Sequence, residues 1–286
     1  MSDSLPALVP TAWLGERLTR QGLRVVDASW YLPSAGRDAE SEYLAGHIPG
    51  AIFFDLDANS DPSTDLPHML PTAGAFAERM GRLGIGDDDD VVVYDGSGSN
   101  LSAARAWWMF RAFGHDRVGL LDGGMVRWRR EGRPLETGRV ARPAARFHAR
   151  LRPEQVRTLD EVLALTRNGA EQIVDARPAG RFAGREPEPR PGLRGGHIPG
   201  SRSVPSTSLV DAEGLLLPPE ELWRKFDSAG VDPSRPVVAT CGSGTSACAV
   251  LFALHLLGQP QATLYDGSWS EWGRRTDTPI ATGDGG

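Results

Sequence analysis

The chain has 286 residues, of which 40% are hydrophobic, and its formal net charge at pH 7 is −6. This length predicts one large or two ordinary domains, and the acidic balance argues against nucleic acid or an acidic membrane surface as the main partner. The sequence has no apolar run of the roughly 18 residues that a transmembrane helix needs, and its start resembles neither a secretory signal nor an Arg-rich transit peptide. Two cysteines are too few for a disulfide framework, so we expect a cytoplasmic protein.

Short runs rich in β-forming residues alternate with helical patterns along the first half of the chain. Strands are predicted at residues 24–28, 91–94 and 119–121, and a helix is predicted over residues 102–113, directly before Gly114. Such alternation is typical of the α/β class, with a mostly parallel sheet and helices on both faces.

The second half of the chain repeats the first. Four segments recur in the same order at nearly constant spacing: residues 25–29 at 173–177, Gly46-His47-Ile48-Pro49-Gly50 at 196–200, residues 91–98 at 237–244, and residues 121–124 with Trp128 at 265–268 with Trp272. One duplication explains this order. We therefore predict an N-terminal domain over residues 1–140, a linker rich in Arg, Ala and Pro over 141–157, and a C-terminal domain over 158–286.

Cys241 begins the run Cys-Gly-Ser-Gly-Thr-Ser, which follows an apolar strand pattern and precedes a predicted helix over residues 246–257. The two glycines allow the backbone N–H groups of the loop to turn inward, and the helix adds the positive end of its dipole. Both effects favour the thiolate, which is the nucleophilic form of cysteine. The alternative is a small buried side chain at a strand end, an interpretation that we prefer for Cys248 inside the helix.

A cysteine between a strand and a helix is also found in phosphatases. That chemistry generally needs an arginine six residues after the cysteine, where its guanidinium binds phosphate with two hydrogen bonds. Position 247 is alanine. The sequence therefore argues strongly against a phosphatase.

The duplicated pattern, with Asp95 in the N-terminal position that matches Cys241, resembles the two-domain rhodanese-like sulfurtransferases over nearly the whole chain. The resemblance implies two tandem rhodanese-like α/β domains, of which only the C-terminal one is catalytic. It implies no metal and no organic cofactor. Because His47 and His197 occur once in each half, we expect them to be structural, and we expect Trp107, Trp108, Trp128, Trp269 and Trp272 to lie in the cores.

The loop resembles one subgroup of this family more than another. Members that prefer thiosulfate carry basic residues after the cysteine, whereas members that prefer 3-mercaptopyruvate carry Cys-Gly-Ser-Gly-Val-Thr. Here the first four residues match the second pattern, and Thr245 and Ser246 depart from it. The resemblance implies that the loop residues Gly242, Gly244, Thr245 and Ser246 bind substrate.

Two further segments are similar to the mercaptopyruvate subgroup. Arg181 and Arg190 lie in a segment that resembles the one whose arginines hold the substrate carboxylate, although a solvated basic loop is the alternative. The segments around Asp61 and His68 resemble those that, with the loop serine, move a proton, so Asp61, His68 and Ser243 are the expected relay. For His68, the alternative is an ordinary surface or interdomain histidine.

The resemblance implies a reaction in two steps. Sulfur moves from 3-mercaptopyruvate to Cys241 as a persulfide with release of pyruvate, and then to cyanide or to a thiol acceptor such as thioredoxin. The alternatives are a thiosulfate:cyanide sulfurtransferase and a non-enzymatic persulfide carrier or binding protein. Since tandem domains can pair within one chain, we expect a monomer.

Overall fold

The computed structural model describes residues 4–259 and 262–284, and these divide into two compact units. The N-terminal unit comprises the described residues up to Pro62, Leu70–Leu151 and Ala212–Leu216. The C-terminal unit comprises Ser63–Met69, Arg152–Asp211 and the described residues from Leu217 onward. Each unit thus includes a short segment from the other half of the sequence. The predicted domain boundaries at residues 140 and 158 stay predictions.

The N-terminal unit contains a five-stranded sheet in the spatial order β1-β5-β4-β2-β3, and every neighbouring pair is parallel. Its strands are β1 (Leu8–Val9), β2 (Leu23–Asp27), β3 (Ile52–Phe53), β4 (Asp90–Tyr94) and β5 (Val118–Leu121). The helices that flank it are α1 (Thr11–Gly15), α2 (Ala39–Ala45), α3 (Ala73–Arg82), α4 (Leu101–Ala112) and α5 (Gly124–Arg130).

The C-terminal unit repeats this topology with the order β6-β10-β9-β7-β8, again with parallel neighbours throughout. Its strands are β6 (Val156–Arg157), β7 (Gln172–Asp175), β8 (Arg202–Ser203), β9 (Val237–Thr240) and β10 (Thr263–Tyr265). The helices are α6 (Leu159–Asn168), α7 (Ala179–Phe182), α8 (Pro219–Ser228), α9 (Ala247–Leu256) and α10 (Ser268–Trp272). The predicted α/β class with two tandem parallel sheets is therefore confirmed.

The order of the strands determines where a ligand site can form. The central strands β4 and β9 are buried along their whole length. Each has the next strand of the sequence on one side and an earlier strand on the other, so the direction in which the chain adds strands to the sheet reverses there. In open parallel sheets, ligands bind beyond the carboxyl ends of the strands at this reversal. Asp95 follows β4 and Cys241 follows β9, so the two halves place these residues at equivalent points.

The buried aromatic residues hold each unit together. All five tryptophans predicted to lie in the cores are buried, as are His47 and His197. The His47 ring stacks on Tyr43 with centroids 4.2 Å apart, and the His197 ring stacks on Phe182 at 3.8 Å. In each case Nδ1 lies within hydrogen-bonding distance of the carbonyl of the residue stacked below it. The predicted burial of the tryptophans is confirmed, and both histidines pack into the interior of their units, as structural residues would.

Two details differ from what the sequence suggests. The segment read as a linker contains β6, whose two residues pair with β10 and are too short a run for periodicity to reveal. Arg177 lies close in sequence to Arg181 and Arg190, for which a solvated basic loop is the alternative, yet it is 1% exposed because buried carboxylates neutralise its guanidinium. Among the described residues, no helix is long and apolar enough to cross a membrane.

Asp27 and Asp175 end the matching strands β2 and β7, and both carboxylates are buried. Asp175 forms an ion pair with Arg177 at 2.6 Å, whereas Asp27 accepts hydrogen bonds from the backbone N–H and hydroxyl of Ser29, the residue that matches Arg177. Burial raises the pKa of Asp27 to about 6, against the opposing effect of the Ser29 hydrogen bonds. The folded protein therefore binds the proton of the Asp27 carboxyl group more tightly than the unfolded chain does.

We predict that Asp27→Asn removes this pH dependence. Because folding raises the pKa of Asp27, its protonation stabilises the folded state fully below pH 3.8, the ordinary pKa of the group. This stabilisation is lost as the pH rises through about 6. Relative to the wild type, Asp27→Asn should gain up to about 3 kcal/mol of unfolding free energy between pH 4 and pH 7. Urea unfolding at both pH values tests this. The matched variant Asp175→Asn leaves Arg177 with one fewer anion and should be destabilised at both; a constant difference between Asp27→Asn and wild type contradicts the prediction.

Candidate active site

Cys241 lies at the carboxyl end of β9, and its side chain is buried. Its backbone N–H donates to the hydroxyl of Ser268 at 3.2 Å, and its carbonyl accepts from the N–H of Trp269 at 2.9 Å. Both partners belong to the first turn of α10. The nucleophile candidate is therefore fixed between the central strand and the helix that follows the neighbouring strand.

The next residues of the loop are held from the same side. The Gly242 carbonyl accepts two hydrogen bonds from Ser270, one from the N–H at 2.9 Å and one from the hydroxyl at 2.6 Å. Gly244 has φ +73°, a left-handed conformation that strains most other residues. The chain then enters α9 at Ala247, so the positive end of a ten-residue helix points towards the loop.

The sequence interpretation missed Ser268 and Ser270. The run Asp-Gly-Ser-Trp after β10 carries a turn signal, and only the match to residues 122–125 marks it as a repeated element. Ser268 has φ +49°, and its hydroxyl donates to the Tyr265 carbonyl at 2.8 Å while accepting from Cys241. This hydroxyl thus links two neighbouring strands directly beneath the loop.

The corresponding loop of the N-terminal unit encloses an anion. The Asp95 carboxylate, fully buried, accepts hydrogen bonds from the N–H groups of Ser97 at 2.8 Å and Ala103 at 2.9 Å. It also accepts from the hydroxyls of Ser97 and Ser102. Gly98 has φ +79°, close to that of its match Gly244. The loop and the first turn of α4 together therefore supply the donors for this buried negative charge.

His68 lies beside the cysteine loop within the C-terminal unit, to which Ser63–Met69 belongs. Its Nδ1 is 3.0 Å from the Ser243 hydroxyl and also 3.0 Å from the Thr245 hydroxyl. All three side chains are buried, and His68 has φ +62°. The structure thus brings together two of the three predicted relay residues, and it adds Thr245, which the sequence did not place in the relay.

Asp61 lies in the N-terminal unit, in a half-buried loop position directly after Ser60. It is therefore assigned to a different unit from His68 and Ser243. Its membership of the relay stays a prediction.

The two predicted carboxylate-binding arginines lie in the C-terminal unit. Arg190 approaches the loop, because a methyl group on Gly242 would lie 3.9 Å from its Nη1. Arg181 is in α7, its side chain is 21% exposed, and its Nη1 is 3.7 Å from the Glu188 carboxylate. Ser246 is half-buried at the position before α9.

Glu188 positions this basic segment. Its side chain is 3% exposed and lies 2.7 Å from Arg177, whose guanidinium also contacts Asp175, the Gly196 carbonyl and the face of Trp269. The buried Glu188 carboxylate thus ties the chain just before Arg190 to the buried Arg177. The sequence showed Glu188 only as one acidic residue in a basic run, without a periodic signal for its burial.

Cys248 is fully buried in α9, as predicted, and its thiol lies 3.2 Å from the Gly244 carbonyl. Within the described ranges, His, Cys, Asp and Glu side chains form no group of three or more that could hold a metal ion. Cys241 is thus the nucleophile candidate of this loop, with hydroxyl, imidazole and guanidinium groups nearby.

We predict that Ser268→Ala lowers the free energy of unfolding by about 1–3 kcal/mol, because it leaves the buried Cys241 N–H without its acceptor. Ser270→Ala is the matched control, since the backbone N–H of residue 270 still binds Gly242 in that variant. Chemical denaturation of both variants measures the difference. Equal losses of stability would show that the Ser268 hydroxyl does not support the loop.

Comparisons with known proteins agree with this geometry. The model of the rhodanese-like domain matches twice, over residues 11–131 and 158–275. The 3-mercaptopyruvate sulfurtransferase of Homo sapiens is 48% identical over 271 residues, which cover 93% of this chain and 91% of that protein. The thiosulfate sulfurtransferase of Bos taurus is 43% identical over 289 residues, which cover 98% of this chain and 97% of that protein.

A solved structure supports the same relationship. The crystal structure of SseA from Escherichia coli, described with the catalytic mechanism of 3-mercaptopyruvate sulfotransferases, has a TM-score of 0.85 and 43% identity. The match covers 93% of this chain and all of the other. With two matched domains, a duplicated parallel sheet and a cysteine loop after the central strand of the second, the chain belongs to the rhodanese family.

Proposed function

We propose that this protein transfers a sulfur atom from 3-mercaptopyruvate to an acceptor through a persulfide on Cys241. The observation that carries the proposal is the loop itself. Cys241 occupies the position at which the duplicated loop encloses the Asp95 carboxylate, and the residues that follow it, Gly242 and Ser243, carry no positive charge. Such a loop suits a singly charged sulfur species better than a dianion.

The substrate carboxylate is assigned to Arg190 and Arg181. Arg190 lies beside Gly242, and Arg181 keeps part of its side chain exposed while its partner Glu188 already pairs with Arg177. Arginine forms paired hydrogen bonds to a carboxylate and stays charged at any physiological pH. Together they would hold the substrate with its sulfur towards Cys241.

In the first step, the Cys241 thiolate attacks the substrate sulfur. A sulfur–sulfur bond forms, the carbon–sulfur bond breaks, and its electron pair becomes the enolate of pyruvate. A proton must then reach the enolate carbon, and the thiol proton of the substrate is available for this transfer. Ser243 and His68 are 3.0 Å apart and form the proposed route, with Asp61 as its third predicted member.

The outer sulfur of the persulfide is anionic and is assigned to the ring of loop amides from Gly242 to Ala247. Preorganised donors of this kind contribute several kcal/mol in comparable oxyanion sites. The N-terminal unit supports this assignment, because the Asp95 carboxylate accepts from one loop N–H, that of Ser97, and from the N–H of Ala103 in the first turn of α4. In the second step an acceptor, cyanide or a dithiol such as thioredoxin, attacks the outer sulfur and frees the thiolate.

We further propose a monomer that acts in the cytoplasm without a metal or an organic cofactor. The chemistry above uses only a thiolate, hydroxyl, imidazole and guanidinium groups. Both cysteines are free, which suits a reducing compartment.

Thiosulfate is the second candidate donor, since the bovine relative at 43% identity is a thiosulfate sulfurtransferase. Thiosulfate is a dianion with no carboxylate, so it would gain from cations within the loop. Positions 242 and 243 hold glycine and serine instead. The loop therefore favours 3-mercaptopyruvate.

We predict that Cys241→Ser abolishes pyruvate release and that Cys248→Ser retains it. Only Cys241 forms the persulfide, and Cys248 is a buried helix residue whose thiol contacts a carbonyl. Mass spectrometry after incubation with 3-mercaptopyruvate should find one added sulfur atom on the peptide with Cys241. Sulfur on Cys248 alone, or turnover by Cys241→Ser, would refute the assignment.

We predict that Arg190→Ala raises KM for 3-mercaptopyruvate by about tenfold or more, because a charge-assisted pair to the carboxylate is lost. Arg185→Ala is the matched control, since Arg185 lies in the same segment but is exposed and pairs with Asp284. Steady-state kinetics of pyruvate release measure both variants. An unchanged KM in Arg190→Ala would move the carboxylate site elsewhere.

A further inference from the structure

Two hydroxyl groups of the cysteine loop contact the same ring nitrogen. The Ser243 and Thr245 hydroxyls each lie 3.0 Å from Nδ1 of His68. A ring nitrogen carries either one lone pair or one hydrogen, so it can neither accept nor donate two full hydrogen bonds at once. The two hydroxyls must therefore share or compete for Nδ1.

The backbone presents the Thr245 hydroxyl at this place. Gly244, with φ +73°, turns the chain so that the side chains on either side of it converge on one atom. The Thr245 carbonyl accepts the N–H of Cys248 at 3.1 Å, which ties residue 245 to the start of α9. Threonine is stiff about its first side-chain torsion because it is branched at Cβ. Its hydroxyl is thus a fixed partner for the ring.

Ser243 lacks the branch at Cβ that makes threonine stiff. It is an unbranched side chain in the middle of the loop, between Gly242 and Gly244. If Ser243 were the only contact of Nδ1 on this side, rotation of its hydroxyl would leave the ring without that restraint. Thr245 supplies a second contact from the rigid end of the loop, and all three groups are buried from water.

We propose that Thr245 is a positioning residue that keeps the His68 ring aligned with Ser243 during proton transfer. This inference rests on the proposed function, because positioning matters only if a proton passes between these groups. Thr245 acts through His68 and contributes no bond to the substrate in this role. Its effect is therefore expected on the step in which the enolate leaving group is protonated.

The donor substrate separates this role from a general effect on the loop. When 3-mercaptopyruvate gives up its sulfur, the enolate must gain a proton. When thiosulfate gives up its outer sulfur, sulfite leaves with the electron pair and needs no proton. A positioning residue for the relay should therefore matter for the first donor and not for the second.

Thr245→Val tests the proposal, because it removes the hydroxyl and keeps the shape of the side chain. We expect kcat for pyruvate release to fall about fivefold to tenfold, the effect of one hydrogen bond, with KM within about twofold of wild type. Thr245→Ser, which restores a hydroxyl, should recover kcat to within about twofold. Persulfide formation from thiosulfate, followed in single turnover, should be unchanged in both variants.

Thr240→Val is the control for loss of a buried threonine hydroxyl near the nucleophile. Thr240 directly precedes Cys241, and within the described part of the chain its hydroxyl has no hydrogen-bond partner. This variant should keep the kcat of the wild type. The ¹⁵N chemical shift of His68 Nδ1 should change in Thr245→Val and not in Thr240→Val, which reports on the ring directly.

Several results would overturn the inference. These are a wild-type kcat in Thr245→Val, a change in KM instead of kcat, equal losses with both donors, or a Thr245→Ser variant as slow as Thr245→Val. If the wild type itself released no pyruvate, the proposed function would fail. A wild type that turns over beside an unaffected Thr245→Val would refute this inference alone.

Discussion

Everything at the candidate site depends on holding a negative charge at the carboxyl end of a buried central strand. Burial of an anion is costly unless donors already point at it. The donors for Asp95 come from the loop that turns at Gly98 and from the first turn of α4. In the N-terminal unit the charge is the Asp95 carboxylate and belongs to the fold. In the C-terminal unit the same position holds the Cys241 thiol, so a negative charge is present there only when the proposed reaction forms the thiolate or the persulfide.

The two halves of the duplication differ in the partners of a buried aspartate at the end of matching strands. Asp27 is buried and accepts hydrogen bonds from Ser29, whereas Asp175 is paired with Arg177. That arginine in turn binds Glu188, which also contacts Arg181 and lies two residues before Arg190. The ion pairs of Arg177 thus connect the carboxyl end of β7 to the proposed carboxylate site. The matching turn of the N-terminal unit has Ser29 in place of this arginine and keeps the fold without this network.

Much of the fold was predictable because its signals are local or repeated. The helix predicted over residues 246–257 begins at Ala247 and ends at Leu256, and the strand predicted at 91–94 is β4. The internal repeat assigned both sheets and the position of Cys241. The contact between His68 and Ser243 was expected only from a family resemblance, because no local pattern joins residues so distant in sequence. Ser268, Glu188 and the second hydroxyl on His68 depend on tertiary packing, and neither propensity nor periodicity reveals such contacts.

We propose that a neutral loop and two arginines select a singly charged α-keto acid thiol over a dianion. The most direct test is kcat/KM for sulfur transfer to cyanide, measured with 3-mercaptopyruvate and with thiosulfate under the same conditions. We expect a ratio of about 100 or more in favour of 3-mercaptopyruvate, which corresponds to about 2.7 kcal/mol of transition-state discrimination. A preference for thiosulfate would keep Cys241 as the nucleophile and contradict the assignment of 3-mercaptopyruvate as the sulfur donor.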